Sequence, residues 1–134
     1  MGRLDGKVAI VTGGGSGIGK TTTLALLEEG YSVTLAGRRA EPLETTIREA
    51  GSLGARALAV PTDVGDPGAV KNLFNKTKER FGRLDLLFNN AGYGAPPKLL
   101  EDLSFEDWQG GVNTNLTGSF LCTQEAFKLM KDQT

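Results

Sequence analysis

The decisive stretch of the sequence is VAIVTGGGSGIG, which runs from Val8 to Gly19. The stretch begins with an apolar run, continues through five glycines and leads into a segment of helical character. Glycine lets a backbone turn tightly and approach an anion without a Cβ clash, and a helix N-terminus offers unpaired N–H donors with a partial positive charge. The stretch therefore predicts a strand-to-helix turn that holds a diphosphate.

The rest of the chain alternates in the same way. Apolar runs predict strands at 8–11, 33–36, 57–60 and 84–88, and longer periodic segments predict helices at 18–29, 41–52 and 66–81. Asp66 and Pro67 are typical of a helix N-cap and its first turn. Strands that are nearly all apolar and alternate with helices predict an α/β fold, in which helices cover both faces of a doubly wound parallel sheet.

A last helix is predicted from about residue 105 toward residue 131, and Ser104 with Asp107 resembles a capping box at its start. Gly110 and Gly111 weaken this helix, because each glycine costs about 1 kcal/mol relative to alanine. The helix is therefore expected either to bend at the glycines or to depend on tertiary packing.

Composition excludes several classes of function. The 134 residues are 39% hydrophobic and 23% charged with a formal net charge of −1, which is typical of one soluble domain and not of a nucleic-acid binder. The chain has no histidine, so Ser-His-Asp, Cys-His and His-based metal sites are excluded and no metal centre is expected. Cys122 is the single cysteine. No secretory leader or membrane-length apolar run occurs, so a cytoplasmic protein without membrane partners is expected.

The glycine turn itself is open to three interpretations. Gly14, Gly19, Lys20 and Thr21 satisfy the P-loop pattern, in which the lysine would contact terminal phosphates and the threonine would coordinate magnesium in an NTPase or kinase. A P-loop protein also needs an aspartate at the end of an apolar strand, but the best such strand here ends in Asn89. The alternative interpretations are dinucleotide binding and a non-catalytic nucleotide-binding or dimerisation module.

Four landmarks together resemble the short-chain dehydrogenase/reductase family. The segment 12–19 resembles its T-G-x-x-x-G-x-G turn, and Asp63-Val64 resembles its adenine-contacting pair. The segment 89–92 matches its N-N-A-G signature, and Asn115, seven residues after Trp108, resembles the helix asparagine of its catalytic tetrad. Four landmarks in family order are more specific than one glycine turn, so the resemblance favours the dinucleotide over the P-loop interpretation.

The resemblance implies a Rossmann-like sheet, truncated after about four strands and the long helix that follows. Residues 1–134 would form a single, incomplete NAD(P)-binding domain of an oxidoreductase that moves hydride between nicotinamide and an alcohol or ketone. The implied catalytic residue is Asn115. The implied cofactor-binding residues are Thr12, Gly13, Gly15, Ser16, Gly17, Ile18, Gly19, Asp63, Val64, Asn89, Ala91 and Gly92.

Each landmark also has a structural interpretation. Asp63 would accept a hydrogen bond from the adenine amine, or it would only cap the turn before Asp66. A turn at the end of the sheet would be held by Asn89, Asn90 and Gly92, so their first role would be structural. Asn115 would hold a relay water through a bend in its helix, although a lone helical asparagine is more often a surface or cap residue.

The choice of cofactor follows from charge. An acidic residue after the second strand would accept a hydrogen bond from a ribose 2′-hydroxyl but repel a 2′-phosphate. That position is Gly37, and Arg38 and Arg39 follow it with guanidinium groups that match a phosphate bidentately. The sequence therefore favours NADP(H), with NAD(H) as the less favoured cofactor, although Ser16 occupies the position where the family's other NADP marker would place a basic residue.

The family's Tyr-x-x-x-Lys pair does not occur in the sequence. Tyr31 is followed four residues later by Leu35 and Tyr93 by Pro97, and Lys98 lies one position too far from Tyr93. We therefore expect the chain alone to be catalytically inactive. We also expect a homo-oligomer, because the last predicted helix would expose an apolar face.

Overall fold

The computed structural model describes residues 4–133, which form one parallel sheet with helices on both of its faces. The strands are β1 (Val8–Thr12), β2 (Ser32–Gly37), β3 (Ala57–Pro61) and β4 (Leu86–Phe88). Their order in the sheet is β3-β2-β1-β4. β1 lies in the middle, with Val8 opposite Ser32 of β2 and Ala9 opposite Leu86 of β4. The strand order therefore reverses between β1 and β4, and ligands of open parallel sheets bind outside the carboxyl ends at such a reversal.

In the described part of the chain, five α-helices connect and follow the strands. They are α1 (Gly17–Glu28), α2 (Ala40–Glu49), α3 (Pro67–Phe81), α4 (Phe105–Gly111) and α5 (Gly118–Met130). Short 3₁₀ turns occupy Gly51–Arg56 and Leu100–Asp102, and a π-helical segment, Val112–Thr117, joins α4 to α5. Within residues 4–133, none of the helices combines the length and apolar character that a bilayer crossing requires.

Alternate residues of β1 explain the two helix layers, since successive side chains of a strand point to opposite faces. One face packs with Leu27 of α1 and Leu43 of α2, and the other packs with Leu73 of α3 and Cys122 of α5. Burial raises the pKa of the Cys122 thiol to about 11, so this cysteine is a core residue and not a reactive one. The predicted doubly wound α/β sheet is confirmed.

Both predicted helix starts are also found. The Asp66 carboxylate accepts a hydrogen bond from the Gly68 N–H at 3.0 Å, and the Ser104 hydroxyl accepts one from the Asp107 N–H at 3.0 Å. The Asp107 carboxylate, however, accepts from the Tyr93 hydroxyl. Ser104 and Asp107 therefore provide only the serine half of the predicted capping box.

Two predicted helices differ from the structure. The second helix ends at Glu49 and not at residue 52, because the chain turns through Gly51, whose φ of 61° lies in the left-handed region. The last predicted helix is not one α-helix, since it widens into the π-helical segment directly after Gly110 and Gly111. Short π segments inside helices are frequent at functional sites.

Candidate functional site

The glycine turn lies at the carboxyl end of β1, beside the reversal of strand order. The N–H groups of Gly13 and Gly14 both donate to the Ala36 carbonyl of β2, at 2.7 and 3.2 Å. The Thr46 hydroxyl of α2 donates to the Gly14 carbonyl at 3.1 Å. A strand and a helix therefore hold the turn from beneath, which fixes its backbone before any ligand arrives.

Gly19 shows why the first turn of α1 needs a glycine. A Cβ atom at this position would lie 2.0 Å from the Gly13 carbonyl oxygen and 2.5 Å from the Asn90 amide nitrogen. These separations are far inside van der Waals contact. The missing side chain therefore lets the start of α1 press against the turn that precedes it.

The first turn of α1 presents donors that its own N-cap leaves free. Ser16 is the N-cap residue, and its side chain makes no capping hydrogen bond. The first N–H groups of a helix have no intrahelical partner, and here they belong to Gly17, Ile18 and Gly19. Ser16, Gly17 and Ile18 are exposed. These donors and the helix dipole form an arrangement that binds an anion.

Thr12 lies beneath the turn and is 1% exposed. Its hydroxyl donates to the Phe88 carbonyl at 3.3 Å and accepts from the N–H groups of Asn90 and Ala91, both at 2.9 Å. All of these partners are protein groups. Thr12 therefore ties the end of β1 to the end of β4 and does not face the clefts.

Two clefts share the wall that Gly13, Gly37 and Arg38 form. The first cleft, of about 230 Å³, lies over the sheet end and also contacts Val64 and Ala91. Its remaining lining residues are Thr62, Gly92, Tyr93 and Thr114. The glycine turn and the segment after β4 therefore meet around one concave surface.

The second cleft, of about 440 Å³, lies between the glycine turn and the start of α2. Gly15 and Ser16 line one side, and Arg39 and Pro42 line the other. Arg38 and Arg39 are both exposed at the end of β2. The second cleft is therefore bordered by two arginine residues and the N-cap of α1, which is a positive environment suited to phosphate.

Asp63 and Val64 lie in different environments in the structure. Val64 is buried and lines the first cleft, whereas Asp63 is exposed. The Asp63 carboxylate accepts a hydrogen bond from the Gly65 N–H at 2.9 Å, which is the turn-capping role that the sequence left open. Its second carboxylate oxygen takes no part in this hydrogen bond.

The two asparagines after β4 make different hydrogen bonds. Asn90 donates through its side-chain amide to the Gly13 carbonyl at 3.3 Å, so it joins the glycine turn to the segment after β4. Asn89 instead donates to the Thr123 hydroxyl of α5 at 3.1 Å, and it lines neither cleft. Asn90 is thus closer to the candidate site than Asn89.

Asn115 lies in the π-helical segment and faces the segment after β4. Its side-chain oxygen accepts from the Tyr93 N–H at 2.9 Å, and its amide donates to the Tyr93 carbonyl at 3.0 Å. Its backbone carbonyl accepts from the Ser119 hydroxyl at 3.0 Å. Asn115 lines a third depression, beside Trp108 and Leu116, and not the first cleft. Tyr93 lines both, so Asn115 contacts the site through Tyr93.

Tyr93 lies between the first cleft and that third depression. Its hydroxyl donates to the Asp107 carboxylate at 3.0 Å, and this hydrogen bond is the main reason that its pKa lies above the ordinary value for tyrosine. Tyr93 therefore stays protonated at neutral pH. Lys98 also approaches Asp107, at 3.9 Å, from a non-helical segment.

The lysine of the P-loop interpretation is engaged in an ion pair with a neighbouring helix. The Lys20 ammonium forms an ion pair with the Glu49 carboxylate of α2. A P-loop lysine must reach terminal phosphates, whereas Lys20 points to the neighbouring helix. Among residues 4–133, no group of three or more His, Cys, Asp or Glu side chains could hold a metal ion.

Four residues at the first cleft were not predicted as site residues: Gly37, Thr62, Tyr93 and Thr114. Thr62 and Tyr93 each lie directly beside a predicted segment, so adjacency to these landmarks is a signal that could have found them. Thr114 precedes Asn115, but only the π-helical segment turns its side chain inward, where it is 6% exposed.

Comparison with known proteins identifies the family. The model of the family described as short chain dehydrogenase matches residues 7–134. A (2S)-[(R)-hydroxy(phenyl)methyl]succinyl-CoA dehydrogenase subunit, BbsD, from Thauera aromatica is 40% identical over 121 residues, which are 90% of this chain and 48% of that protein.

Solved structures agree with the sequence comparison. A 3-ketoacyl-(acyl-carrier-protein) reductase from Brucella melitensis, complexed with NADH, superposes with a TM-score of 0.90 at 32% identity, over 96% of this chain and 52% of that one. A short chain dehydrogenase from Burkholderia cenocepacia, in complex with NADP, gives a TM-score of 0.88 at 36% identity, over 96% and 52%. The chain spans about half the length of these relatives. The matched family model and the Rossmann-like sheet together show that the chain belongs to the short-chain dehydrogenase/reductase family of oxidoreductases.

Proposed function

We propose that the chain binds NADP(H) at the carboxyl ends of β1, β2 and β4, as the cofactor-binding part of an oxidoreductase that transfers hydride between nicotinamide and an alcohol or ketone. The observation that carries the proposal is the glycine turn at the reversal of strand order, with the free N–H groups of the first turn of α1 beside two clefts. Such a junction binds the diphosphate of a dinucleotide.

The chemistry of the two clefts fits such a cofactor. The N–H groups of Gly17, Ile18 and Gly19 would hold the diphosphate, with Gly13, Gly15 and Ser16 shaping the approach. The first cleft would receive the adenosine, with Val64 against the adenine ring and the free Asp63 oxygen available to its amine. Ala91 and Gly92 present small residues at the other side of this cleft. Bound nicotinamide would supply or accept the hydride.

Two of the predicted cofactor residues receive a positioning role in this proposal. Thr12 is buried, and its hydroxyl fixes the glycine turn against the end of β4. Asn89 fixes the end of β4 against α5 through Thr123. Both residues set the geometry of the cleft without contacting the cofactor.

The preference for NADP(H) rests on Arg38 and Arg39. Both side chains border the second cleft, and the preceding residue is Gly37, so no carboxylate at this position repels a 2′-phosphate. Two relatives were solved with different cofactors, one with NADH and one with NADP. The family thus accommodates both, and in this chain the two guanidinium groups favour the phosphorylated form.

Asn115 is assigned to catalysis through its position in the family's motif. Its amide clamps the Tyr93 backbone with two hydrogen bonds, and its backbone carbonyl lies inside the π-helical segment. We assign a relay water to this carbonyl. Hydride transfer also needs an acid beside the carbonyl substrate, and neither Tyr31 nor Tyr93 has a lysine four residues later. The function proposed for these residues alone is therefore cofactor binding without turnover.

Calorimetric titration of the 134-residue chain tests the proposal. NADPH should bind without magnesium and more tightly than NADH, and an Arg39→Ala variant should lose about tenfold in affinity for NADPH while it keeps its affinity for NADH. Arg48→Ala, on the exposed side of α2, is the matched control. Binding of ATP that depends on magnesium, without binding of NADPH, would overturn the proposal in favour of a P-loop protein. Binding of neither would indicate a non-catalytic module.

A further inference from the structure

Arg38 makes a contact that neither the family match nor the glycine turn explains. From the end of β2 its side chain reaches the π-helical segment, where Nη2 donates a hydrogen bond to the Thr114 hydroxyl at 3.2 Å. The two residues are 76 positions apart in the sequence and lie on different walls of the first cleft. The arginine is therefore anchored at both ends, by its own strand and by Thr114.

Thr114 is a rigid anchor. It is 6% exposed, and the next residue, Asn115, clamps the Tyr93 backbone with two hydrogen bonds. Three residues after that, Gly118 packs so closely on Val64 that a Cβ atom would lie 2.5 Å from a Val64 methyl group. The π-helical segment and the start of α5 are thus fixed to the neighbouring segments of the cleft.

A threonine within a helix usually directs its hydroxyl to the carbonyl of the preceding turn. The Thr114 hydroxyl accepts a hydrogen bond from Arg38, on the other wall of the cleft. An exposed arginine has many rotamers and loses that freedom when it binds a ligand. The hydrogen bond to Thr114 restricts the side chain in advance, and it uses only one of the five N–H donors of the guanidinium group.

We propose that Thr114 is a positioning residue for cofactor choice, because it holds the Arg38 guanidinium at the first cleft in the orientation that meets the 2′-phosphate of NADP(H). This inference rests on the proposed function. A 2′-phosphate gains a charge-assisted and bidentate interaction from a pre-oriented guanidinium, whereas the neutral 2′-hydroxyl of NAD(H) gains little. The contribution of Thr114 is therefore selective for the phosphorylated cofactor.

Titration of the full 134-residue chain with NADPH and with NADH, followed by calorimetry, measures this selectivity. Thr114→Val removes the hydroxyl and keeps the shape, and it should weaken NADPH binding by about fivefold while NADH binding changes by less than about twofold. Thr114→Ser keeps the hydroxyl and should restore the wild-type ratio. Thr117→Val removes a hydroxyl from the same segment but away from the lining of the first cleft, and it should leave the ratio unchanged.

A double-mutant cycle shows whether Thr114 acts through Arg38. In an Arg38→Ala background, Thr114→Val should no longer change the ratio of the two affinities. An unchanged or stronger affinity of Thr114→Val for NADPH would overturn the inference. An equal loss for both cofactors would also overturn it, since Thr114 would then be only a wall of the adenosine cleft. If the wild-type chain binds neither cofactor, the proposed function fails first, which the same titration distinguishes.

Discussion

The hydroxyl oxygen of Thr12 lies 2.9 Å from the backbone nitrogen of Ala91, whose N–H donates to it. The same hydroxyl accepts from the Asn90 N–H at 2.9 Å and donates to the Phe88 carbonyl at 3.3 Å. One buried side chain thus joins the strand before the glycine turn to the segment after β4. These two segments border the candidate cofactor cleft, so the shape of the cleft depends on this junction.

Replacing Thr12 with valine should destabilise the fold. The substitution keeps the volume but leaves the Asn90 and Ala91 N–H groups without their acceptor, which should lower the free energy of unfolding by about 2 kcal/mol. Urea denaturation followed by circular dichroism measures the change. Thr12→Ser keeps the hydroxyl and is the matched control. Equal stability of the valine variant and the wild type would contradict the role given to this junction.

Replacing Gly19 with alanine should abolish cofactor binding. The new methyl group would lie 2.0 Å from the Gly13 carbonyl oxygen, so the turn or the start of α1 must move. Overpacking of this kind costs about 1 to 3 kcal/mol, and it displaces the N–H donors of the site. Calorimetric titration with NADPH, together with a melting curve, checks both effects.

The control for Gly19→Ala is Gly68→Ala, in the first turn of α3. A Cβ atom there would meet its nearest neighbour, an Asp66 carboxylate oxygen, at an ordinary 3.5 Å. That variant should keep its cofactor affinity and its stability. A Gly19→Ala chain that binds NADPH like the wild type would show that the close approach of α1 to the turn is not required.

The sequence predicted the sheet and its helices because these depend on local patterns. Apolar runs, glycines and the asparagine pair report the secondary structure and the turn directly. The direction of individual side chains depends on tertiary contacts instead. Asn89 and Asn90 are indistinguishable as neighbours in a motif, yet one faces Thr123 and the other faces Gly13.

The π-helical segment is the main feature that the sequence did not reveal. Gly110 and Gly111 indicated a weak helix, but no local pattern marks the widened turn of Val112–Thr117. The side chain of Thr114 points inward only because it lies in this π-helical segment. The Arg38 contact joins residues 76 positions apart, and no local pattern encodes such a pair.

The stability of the chain should fall at acidic pH through Asp85. Hydrogen bonding from Arg83 holds the pKa of this carboxyl below its ordinary value, with help from the Val8 N–H at 2.9 Å. The pKa of Asp85 is lower in the folded chain than in the unfolded chain. The stabilisation is therefore complete when the pH lies above the ordinary aspartate pKa of about 3.9. It is lost as the pH falls through the lower folded value.

An Asp85→Asn variant should therefore be less stable than the wild type at neutral pH and should show a weaker loss of stability on acidification. Urea midpoints measured from about pH 6 to about pH 3 provide the comparison. Asp63→Asn, at an exposed turn, is the control with one carboxylate fewer. Parallel curves for wild type and Asp85→Asn would show that this carboxylate contributes nothing to the acid response.

The chain should self-associate through the apolar side chains of the π-helical segment and α5. Leu116, Phe120 and Phe127 are 69%, 58% and 71% exposed, although they are large apolar residues. A patch of this kind marks an interaction surface. Size-exclusion chromatography at several concentrations should show an oligomer, and the Phe120→Ser, Phe127→Ser double variant should elute as a monomer.

The corresponding control is a Thr123→Ser, Gln124→Ser double variant, which changes exposed polar residues of the same helix and should not alter the elution. A wild-type chain that remains monomeric at every concentration and still melts cooperatively would exclude self-association through this surface.

A pyridine nucleotide is expected to contact the backbone amides of the first turn of α1. Amide chemical shifts of the ¹⁵N-labelled chain, followed during a titration with NADPH in the absence of magnesium, test this claim most directly. The predicted result is that the largest changes occur at Gly17, Ile18 and Gly19, with further changes at Val64 and Gly92. Unchanged amides in the first turn of α1 at saturating NADPH, or changes there only with magnesium and ATP, would contradict the claim.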